Sequence, residues 1–206
     1  MKINAVCRQC RRAGVKLFLK GEKCFSAKCP MVKRKYPPGV HGPKGPVRLS
    51  EFGIQLQEKQ KVKKIYGIRE KQFRKYYEHV SKRDQPGEEL IRLLESRLDN
   101  VVFRLGFTTS RHQARQSVSH GHIKVNKRKL NIPSYQVKVG DIIEVKQESR
   151  KKALFVNLTK KLAKLKPPSW LTVDPKNLSG EVTSTPTSKE LEQSIDTSLI
   201  IEFYSR

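Results

Sequence analysis

The spacing of apolar residues divides the chain into regions of different structure. Apolar residues are sparse over residues 1–48, recur three or four apart from Ser50 to Leu105, and alternate with polar residues from Ile123 to Val145. A period of three to four is typical of amphipathic helices, and a period of two is typical of half-buried strands. The pattern therefore predicts an α+β fold with a small antiparallel sheet.

Three helices are predicted in the helical region. The first begins after the capping residue Ser50 and stops at Gly67, and the second covers residues 68–80. The third is predicted as one continuous helix, because apolar residues keep to one stripe from Leu90 to Leu105. These helices form a predicted helical domain.

A short helix and the sheet are predicted to follow. Ser110 and Gln113 match the capping-box pattern, so a helix begins there and ends at Gly121. The alternation over residues 123–145 then predicts a small antiparallel sheet packed against two helices. Together these elements form a predicted compact module.

The C-terminal region is predicted to be largely irregular. Residues 160–166 are predicted as a short basic helix, and residues 174–198, which are rich in Ser, Thr and Pro, as loop. The apolar run over residues 199–204 is too hydrophobic to remain in solvent. We expect it to dock on the earlier helices.

The charge of the chain points to a polyanionic partner. The 44 Lys and Arg outnumber the 19 Asp and Glu, which gives a formal net charge of +25 at pH 7. Such a surface attracts nucleic acid most commonly. No run approaches the roughly 20 apolar residues that a membrane span needs, so we expect a cytoplasmic protein with no membrane partner.

All four cysteines lie near the N-terminus, in the pattern Cys7-x2-Cys10-x13-Cys24-x4-Cys29. Two close pairs joined by a short loop allow four thiolates to converge on one structural Zn2+ ion. Two disulfides, free buried thiols and an iron–sulfur cluster are the alternatives. A four-thiolate zinc site is closed, so it offers no position for a catalytic water.

Two groups of polar and cationic side chains are candidate RNA contacts. The first lies on the cysteine segment and on a Pro- and Gly-rich connector over residues 36–48, and the second lies on the module. An ordinary solvated face is the alternative for the first group, and an ordinary surface histidine is the alternative for each histidine of the second. The first group is Arg8, Arg11, Arg12, Lys16, Lys44 and Arg48. The second is Arg97, Arg104, Arg111, Gln113, Arg115, His120, His122, Asn126, Lys127 and Arg128.

The chain carries no recognisable catalytic motif. We find no nucleotide-binding glycine loop, no HExxH and no nucleophile with a paired base. The aromatic residues Phe73, Tyr76 and Tyr77 could stack on bases, but their helical spacing favours packing in the core. We therefore expect a non-enzymatic protein without a small-molecule substrate.

Several segments resemble a known family. Residues 97–126 read RLDNVVFRLGFTTSRHQARQSVSHGHIKVN and, with the later VGDIIEV, resemble the S4 RNA-binding module, which also occurs in pseudouridine synthases and tyrosyl-tRNA synthetases. Residues 37–77, PPGVHGPKGPVRLSEFGIQLQEKQKVKKIYGIREKQFRKYY, and the closing SLIIEFYSR resemble the small-subunit ribosomal protein S4 family itself. The four cysteines resemble its zinc-bearing branch.

The resemblance implies a primary binder of small-subunit ribosomal RNA that nucleates assembly of the 5′ domain. It also implies neighbouring ribosomal proteins as partners, a part in translational accuracy, and contact with messenger RNA at the channel through which it enters, near Lys44 and Arg48. In this family the module is inserted into a helical domain. The implied segments are 1–47 (zinc-organised segment and connector), 48–96 (helical domain), 97–159 (inserted module) and 160–206 (return to the helical domain). The Ser- and Thr-rich stretch over residues 179–188 is less typical of the family.

Overall fold

The computed structural model describes residues 6–45, 48–163, 165–187 and 195–206. Part of the predicted connector and part of the predicted C-terminal loop lie outside these residues. The chain divides into two compact units. The helical unit is Met1–Gly87 with Ser194–Arg206, and the sheet unit is Glu88–Gln193.

Short helices and one sheet make up the described residues. The helices are α1 (Val6–Ala13), α2 (Glu22–Phe25), α3 (Pro30–Lys33), α4 (Glu51–Tyr66), α5 (Glu70–Val80), α6 (Pro86–Glu95), α7 (Leu98–Arg104), α8 (Arg111–Ser119), α9 (Leu158–Leu162) and α10 (Thr197–Ser205). The strands are β1 (Ile123–Val125), β2 (Arg128–Lys129), β3 (Ile142–Val145), β4 (Leu171–Asp174) and β5 (Ser179–Val182). Short 3-10 helices occur at Gly42–Lys44 and Gln147–Ser149. The α+β prediction is confirmed.

Helix α4 begins and ends where its sequence signals predict. The Ser50 hydroxyl accepts a hydrogen bond from the Gly53 backbone N–H at 3.2 Å. Gly67 ends the helix in the left-handed region, with φ 64°. Both signals are local, so they act without help from the rest of the fold.

The C-terminal helix α10 packs on α4, as its apolar run predicts. Ile200 is completely buried, and the Phe52 and Phe203 ring centroids lie 5.5 Å apart. The Gln55 amide donates to the Glu202 carboxylate at 2.9 Å. The chain terminus therefore completes the core of the helical unit.

The same docking covers a charged cluster beneath α10, in which Lys59 is buried and Glu70 is partly exposed. The Lys59 ammonium lies 3.0 Å from Glu70 and 4.0 Å from the centroid of the Phe203 ring. The Tyr204 hydroxyl donates to the Glu70 carboxylate at 2.6 Å. Burial opposes ionisation of Glu70, but hydrogen bonds from Lys63, Tyr204 and Lys59 lower its pKa to about 2.

Glu70→Gln is expected to reduce the free energy of unfolding at pH 7 by about 1 kcal/mol, a small value because this carboxylate is 44% exposed and screened by solvent. A lowered carboxyl pKa stabilises the fold above the unfolded-state value, and the benefit disappears as the pH falls through the folded-state value. The difference between parent and variant should thus shrink between pH 4.5 and about 2. Urea denaturation at a series of pH values measures it. Glu78→Gln, which alters only an exposed i,i+4 pair with Arg74, should show little difference at any pH.

The prediction of one continuous helix from Leu90 to Leu105 is wrong, because the chain breaks between α6 and α7. Arg97 is extended, with φ −68° and ψ 137°, and forms a β-bridge with Gln136. On either side, the Leu98 N–H donates to the Tyr135 carbonyl and the Val137 N–H to the Ser96 carbonyl, both at 2.8 Å. The backbone groups released by the break are satisfied by a distant segment.

The sheet is antiparallel, with strand order β2-β1-β3-β5-β4 among the described residues. The prediction of loop over residues 174–198 is wrong at Ser179–Val182, because β5 pairs with both β3 and β4. Gly180 lies in this strand beneath Leu105, and a Cβ there would stand 2.4 Å from the Leu105 Cδ2 atom. A residue typical of turns is required here by close packing.

The added strands enlarge the sheet unit beyond the predicted module. Its core joins α7, α8 and the sheet to α9 and to the buried side chain of Trp170. Among the described residues, the part of the predicted C-terminal segment that belongs to the helical unit is 195–206. The predicted bounds 97–159 and 160–206 thus differ from the observed units.

Candidate nucleic-acid interface

The helical unit contains an open groove of about 1000 Å3. Polar side chains of α1 and α4 line it, together with the apolar residues Leu49, Leu56 and Pro38. The polar lining consists of cations and amides without a single acid: Arg8, Gln9, Arg12, Gln57, Gln60 and Lys64.

The three cations of this groove, Arg8, Arg12 and Lys64, have no hydrogen-bond or ion-pair partner among the described residues. Burial lowers the pKa of Lys64, and the charges of Arg12 and Lys63 lower it further. Like charges held together without a counter-charge favour an anion in the groove.

Arg11 on the same helix has a structural role. Its guanidinium donates to the carbonyls of Tyr36 and Pro37 at 2.9 and 3.1 Å, and lies over the Tyr36 ring. These contacts attach the start of the connector to α1. Farther along, Lys44 and Arg48 are exposed.

The four cysteines line one small cavity of about 10 Å3, together with Leu19 and Met31. None of them forms a disulfide. Burial raises the pKa of the Cys10 thiol, a hydrogen bond with the Leu17 backbone lowers it, and the other three sulfurs raise it. Four cysteine sulfurs are the donors that a structural zinc ion takes. As they lie, however, the described side chains form no group of three or more His, Cys, Asp or Glu that could hold a metal.

In the sheet unit, Arg97 forms a buried ion pair with Asp99. Its Nε and Nη2 atoms lie 3.0 and 2.7 Å from the two carboxylate oxygens, and the Arg97 side chain is 2% exposed. The Arg97 guanidinium therefore does not reach the surface in this structure, and RNA contact by Arg97 stays a prediction. Asp99 also lies 3.8 Å from Arg115, which is half-exposed.

A second buried acid, Glu95, orients two further arginines. It accepts a bidentate pair from Arg104 at 2.9 and 2.8 Å and a hydrogen bond from the Asn100 amide at 2.7 Å. Asn100 in turn accepts from Arg111 at 2.8 Å, and the Arg111 guanidinium lies over the Phe103 ring. Fixed guanidinium planes suit bidentate contacts to phosphate.

The β1–β2 hairpin presents an exposed cationic tip. Asn126 and Lys127 have φ values of 48° and 66°, which form a two-residue turn matched to the twist of the strands. The Asn126 side chain donates to Asp141 at 2.8 Å and accepts from the Ile142 N–H at 2.9 Å, so its role is to hold the turn. Lys127 and Arg128 remain exposed, and the described residues offer them no partner.

Comparisons with known proteins agree with these features. Residues 2–95 match the family model for the ribosomal protein S4/S9 N-terminal domain, and residues 96–143 match the S4 domain. The small ribosomal subunit protein uS4 of Caldicellulosiruptor bescii is 54% identical over 205 residues, covering 99% of this chain and 98% of the relative. That of Clostridioides difficile is 50% identical over 204 residues, covering 98% of each.

This chain belongs to the uS4 family. That is a family of ribosomal structural proteins and not of enzymes, as the sequence predicts. The resemblance of residues 37–77 and 97–126 to this family is confirmed. None of the helices in the described parts of this uS4 chain is long and apolar enough to cross a membrane.

The predicted contact residues of this uS4 chain fall into three classes. Exposed positions are Arg8, Arg12, Lys16, Lys44, Arg48, Arg115, His120, Lys127 and Arg128. Partly exposed side chains with protein partners are Arg11, Arg104, Arg111, Gln113 and His122, and the exposed Asn126 has partners too. Arg97 is buried. RNA contact by the exposed and partly exposed residues stays a prediction.

Two of these side chains, Gln113 and His122, form hydrogen bonds within the sheet unit. The Gln113 amide oxygen accepts hydrogen bonds from the backbone and hydroxyl of Thr109, at 2.9 and 2.8 Å. His122 Nδ1 lies 3.0 Å from the Ser149 hydroxyl, and burial lowers the pKa of this histidine.

Sequence reasoning missed the residues that complete both surfaces. Gln57, Gln60 and Lys64 of α4 line the groove, but they lie more than 40 residues from α1 and carried no local signal. Glu95 and Asp99 did carry a signal, because they are two acids four residues apart among arginines that carry the predicted charge.

Proposed function

We propose that this protein is a structural constituent of the small ribosomal subunit, in the cytoplasm, and that it binds small-subunit ribosomal RNA. The observation that carries the proposal is the groove of the helical unit, where Arg8, Arg12 and Lys64 face a common space with no acid. A phosphate backbone is the polyanion that such a groove suits. The exposed hairpin tip of the sheet unit provides a second contact.

The family supports a finer proposal. We propose a primary RNA binder that nucleates the 5′ domain, contacts neighbouring ribosomal proteins and contributes to translational accuracy. Exposed Lys44 and Arg48 support a contact with messenger RNA where it enters the subunit. The exposed cations of β2, Arg128 and Lys129, suit phosphate contacts, which carry no base sequence, so we propose recognition by RNA shape and phosphate position.

We propose one structural zinc ion on Cys7, Cys10, Cys24 and Cys29. Their shared cavity and the absence of disulfides among them support it. A bound zinc would stabilise the N-terminal helices, whose apolar core is small. Those helices carry Arg8 and Arg12, so the ion would act on RNA binding through their position.

Binding of the full chain to transcribed small-subunit ribosomal RNA is expected to weaken steeply with salt, because each neutralised phosphate releases counterions. Arg12→Gln and Lys64→Gln should each reduce the log–log salt slope by about 1 and weaken binding to any RNA of this shape. Filter binding or fluorescence anisotropy at several salt concentrations measures both quantities.

The control is Arg74→Gln, which removes an exposed charge from α5, where Arg74 pairs with Glu78. It should leave the slope unchanged. A slope near zero for the parent would contradict RNA binding by charge. If both groove variants kept the salt slope of the parent, the groove would not be part of the RNA interface.

A further inference from the structure

An exposed aromatic pair lies on the cysteine-bearing segment of the helical unit. The Phe18 and Phe25 rings are stacked, with centroids 5.0 Å apart and planes inclined by 29°. Phe25 is 77% exposed and Phe18 is 41% exposed. One face of the Phe25 ring is therefore covered by Phe18, and most of the rest of the side chain is open to solvent.

The backbone holds this pair outside the core. Leu17 and Leu19, on either side of Phe18, are both buried, so they anchor the segment. Phe18 itself has φ 48°, a left-handed conformation that costs a non-glycine residue energy. Two phenylalanines that stay exposed to water also lack the stabilising free energy that burial of such side chains normally contributes.

The segment that carries the pair is cationic. Lys16, Lys23 and Lys28 are exposed on the same segment, where Glu22 is the one acid between residues 15 and 29. Ser26 ties the two later lysines together, because its hydroxyl donates to the Lys23 carbonyl and accepts from the Lys28 N–H. An aromatic face among lysines matches a nucleotide, which has a flat base and an anionic phosphate.

We propose that Phe25, backed by Phe18, stacks on an unpaired base of the bound ribosomal RNA. This inference rests on the proposed function and adds a base contact to surfaces that otherwise bind phosphate. An apolar protein partner fits less well, because a partner that covered this segment would remove water from its exposed lysines without supplying a counter-charge.

A substitution series at Phe25 in the full chain tests the stack. Phe25→Ala should weaken binding to small-subunit ribosomal RNA about tenfold at every salt concentration, with the salt slope unchanged, because no phosphate contact is lost. Phe25→Leu should lose most of the same affinity, whereas Phe25→Trp should restore it. The indole introduced by Phe25→Trp should also be quenched when the RNA is added, measured against the parental signal of buried Trp170.

Lys23→Gln is the matched control, because it removes a charge from the same segment and should reduce the slope instead. Thermal unfolding of all variants should match the parent, since the Phe25 side chain is mostly exposed. Parental affinity for Phe25→Ala, or full affinity for Phe25→Leu, would overturn the stack. If the parent itself failed to bind the RNA, the proposed function would fall instead.

Discussion

Arg97→Met is expected to lower the free energy of unfolding of the sheet unit by about 3–5 kcal/mol, because it leaves the Asp99 carboxylate buried without its bidentate partner. A residue in contact with RNA would behave differently: its loss would weaken binding and leave stability nearly unchanged. Urea denaturation followed by the fluorescence of Trp170, which is buried in the core of this unit, measures the effect.

Two controls test whether the loss of stability comes from leaving the Asp99 carboxylate without Arg97. The double variant Arg97→Met with Asp99→Leu should recover much of the stability, because replacing a whole buried ion pair by apolar side chains is often nearly neutral. Arg115→Met removes the half-exposed neighbour of Asp99 and should cost about 1 kcal/mol or less. If Arg97→Met were as stable as the parent but no longer bound RNA, Arg97 would be an RNA contact and not a structural residue.

Removal of the proposed zinc ion is expected to unfold the N-terminal helices α1, α2 and α3 and to weaken RNA binding by at least about tenfold. The reason is the small apolar core of this segment, in which three of the four cysteines are themselves buried. Arg8 and Arg12 would lose their fixed positions, so the salt slope should fall by about 2. Limited proteolysis and RNA titration before and after chelation measure these changes.

The effect should stay within the helical unit. The Trp170 signal reports on the sheet unit and should be the same with and without chelator. Cys24→Ser with Cys29→Ser should reproduce the chelated state and bind no zinc in metal analysis. A parent that contains no metal, or a chelated protein with an intact protease pattern and unchanged RNA affinity, would contradict the zinc site.

Local patterns predicted the elements whose determinants lie close together in sequence. The Ser50 and Ser110 caps both form, because a hydroxyl and an amide three residues apart meet whenever the chain turns into a helix. The docking of the C-terminal helix was also predicted, from its hydrophobicity alone. The partner and register of that contact were not, since they depend on the shape of α4.

Long-range partners overrode the local pattern at the positions that were predicted wrongly. The apolar stripe across residues 90–105 does favour one helix, but Ser96 and Arg97 gain a β-bridge and backbone hydrogen bonds to residues 135–137. Gly180 favours a turn by itself, yet in β5 it gives the Leu105 side chain room. Lys59 sits in a polar run, and α10 covers it.

The sequence by itself determined the fold class, the family, the cationic character of the chain and the four-cysteine pattern, because each depends on residue type and short spacing. Only the tertiary structure decided which cations pair with the protein's own acids and which do not. Net charge counts all arginines equally, but burial beside Asp99 or Glu95 makes Arg97 and Arg104 part of the protein's own ion pairs. Arg8, Arg12 and Lys64, far apart in sequence, meet in a groove that holds no acid to neutralise them.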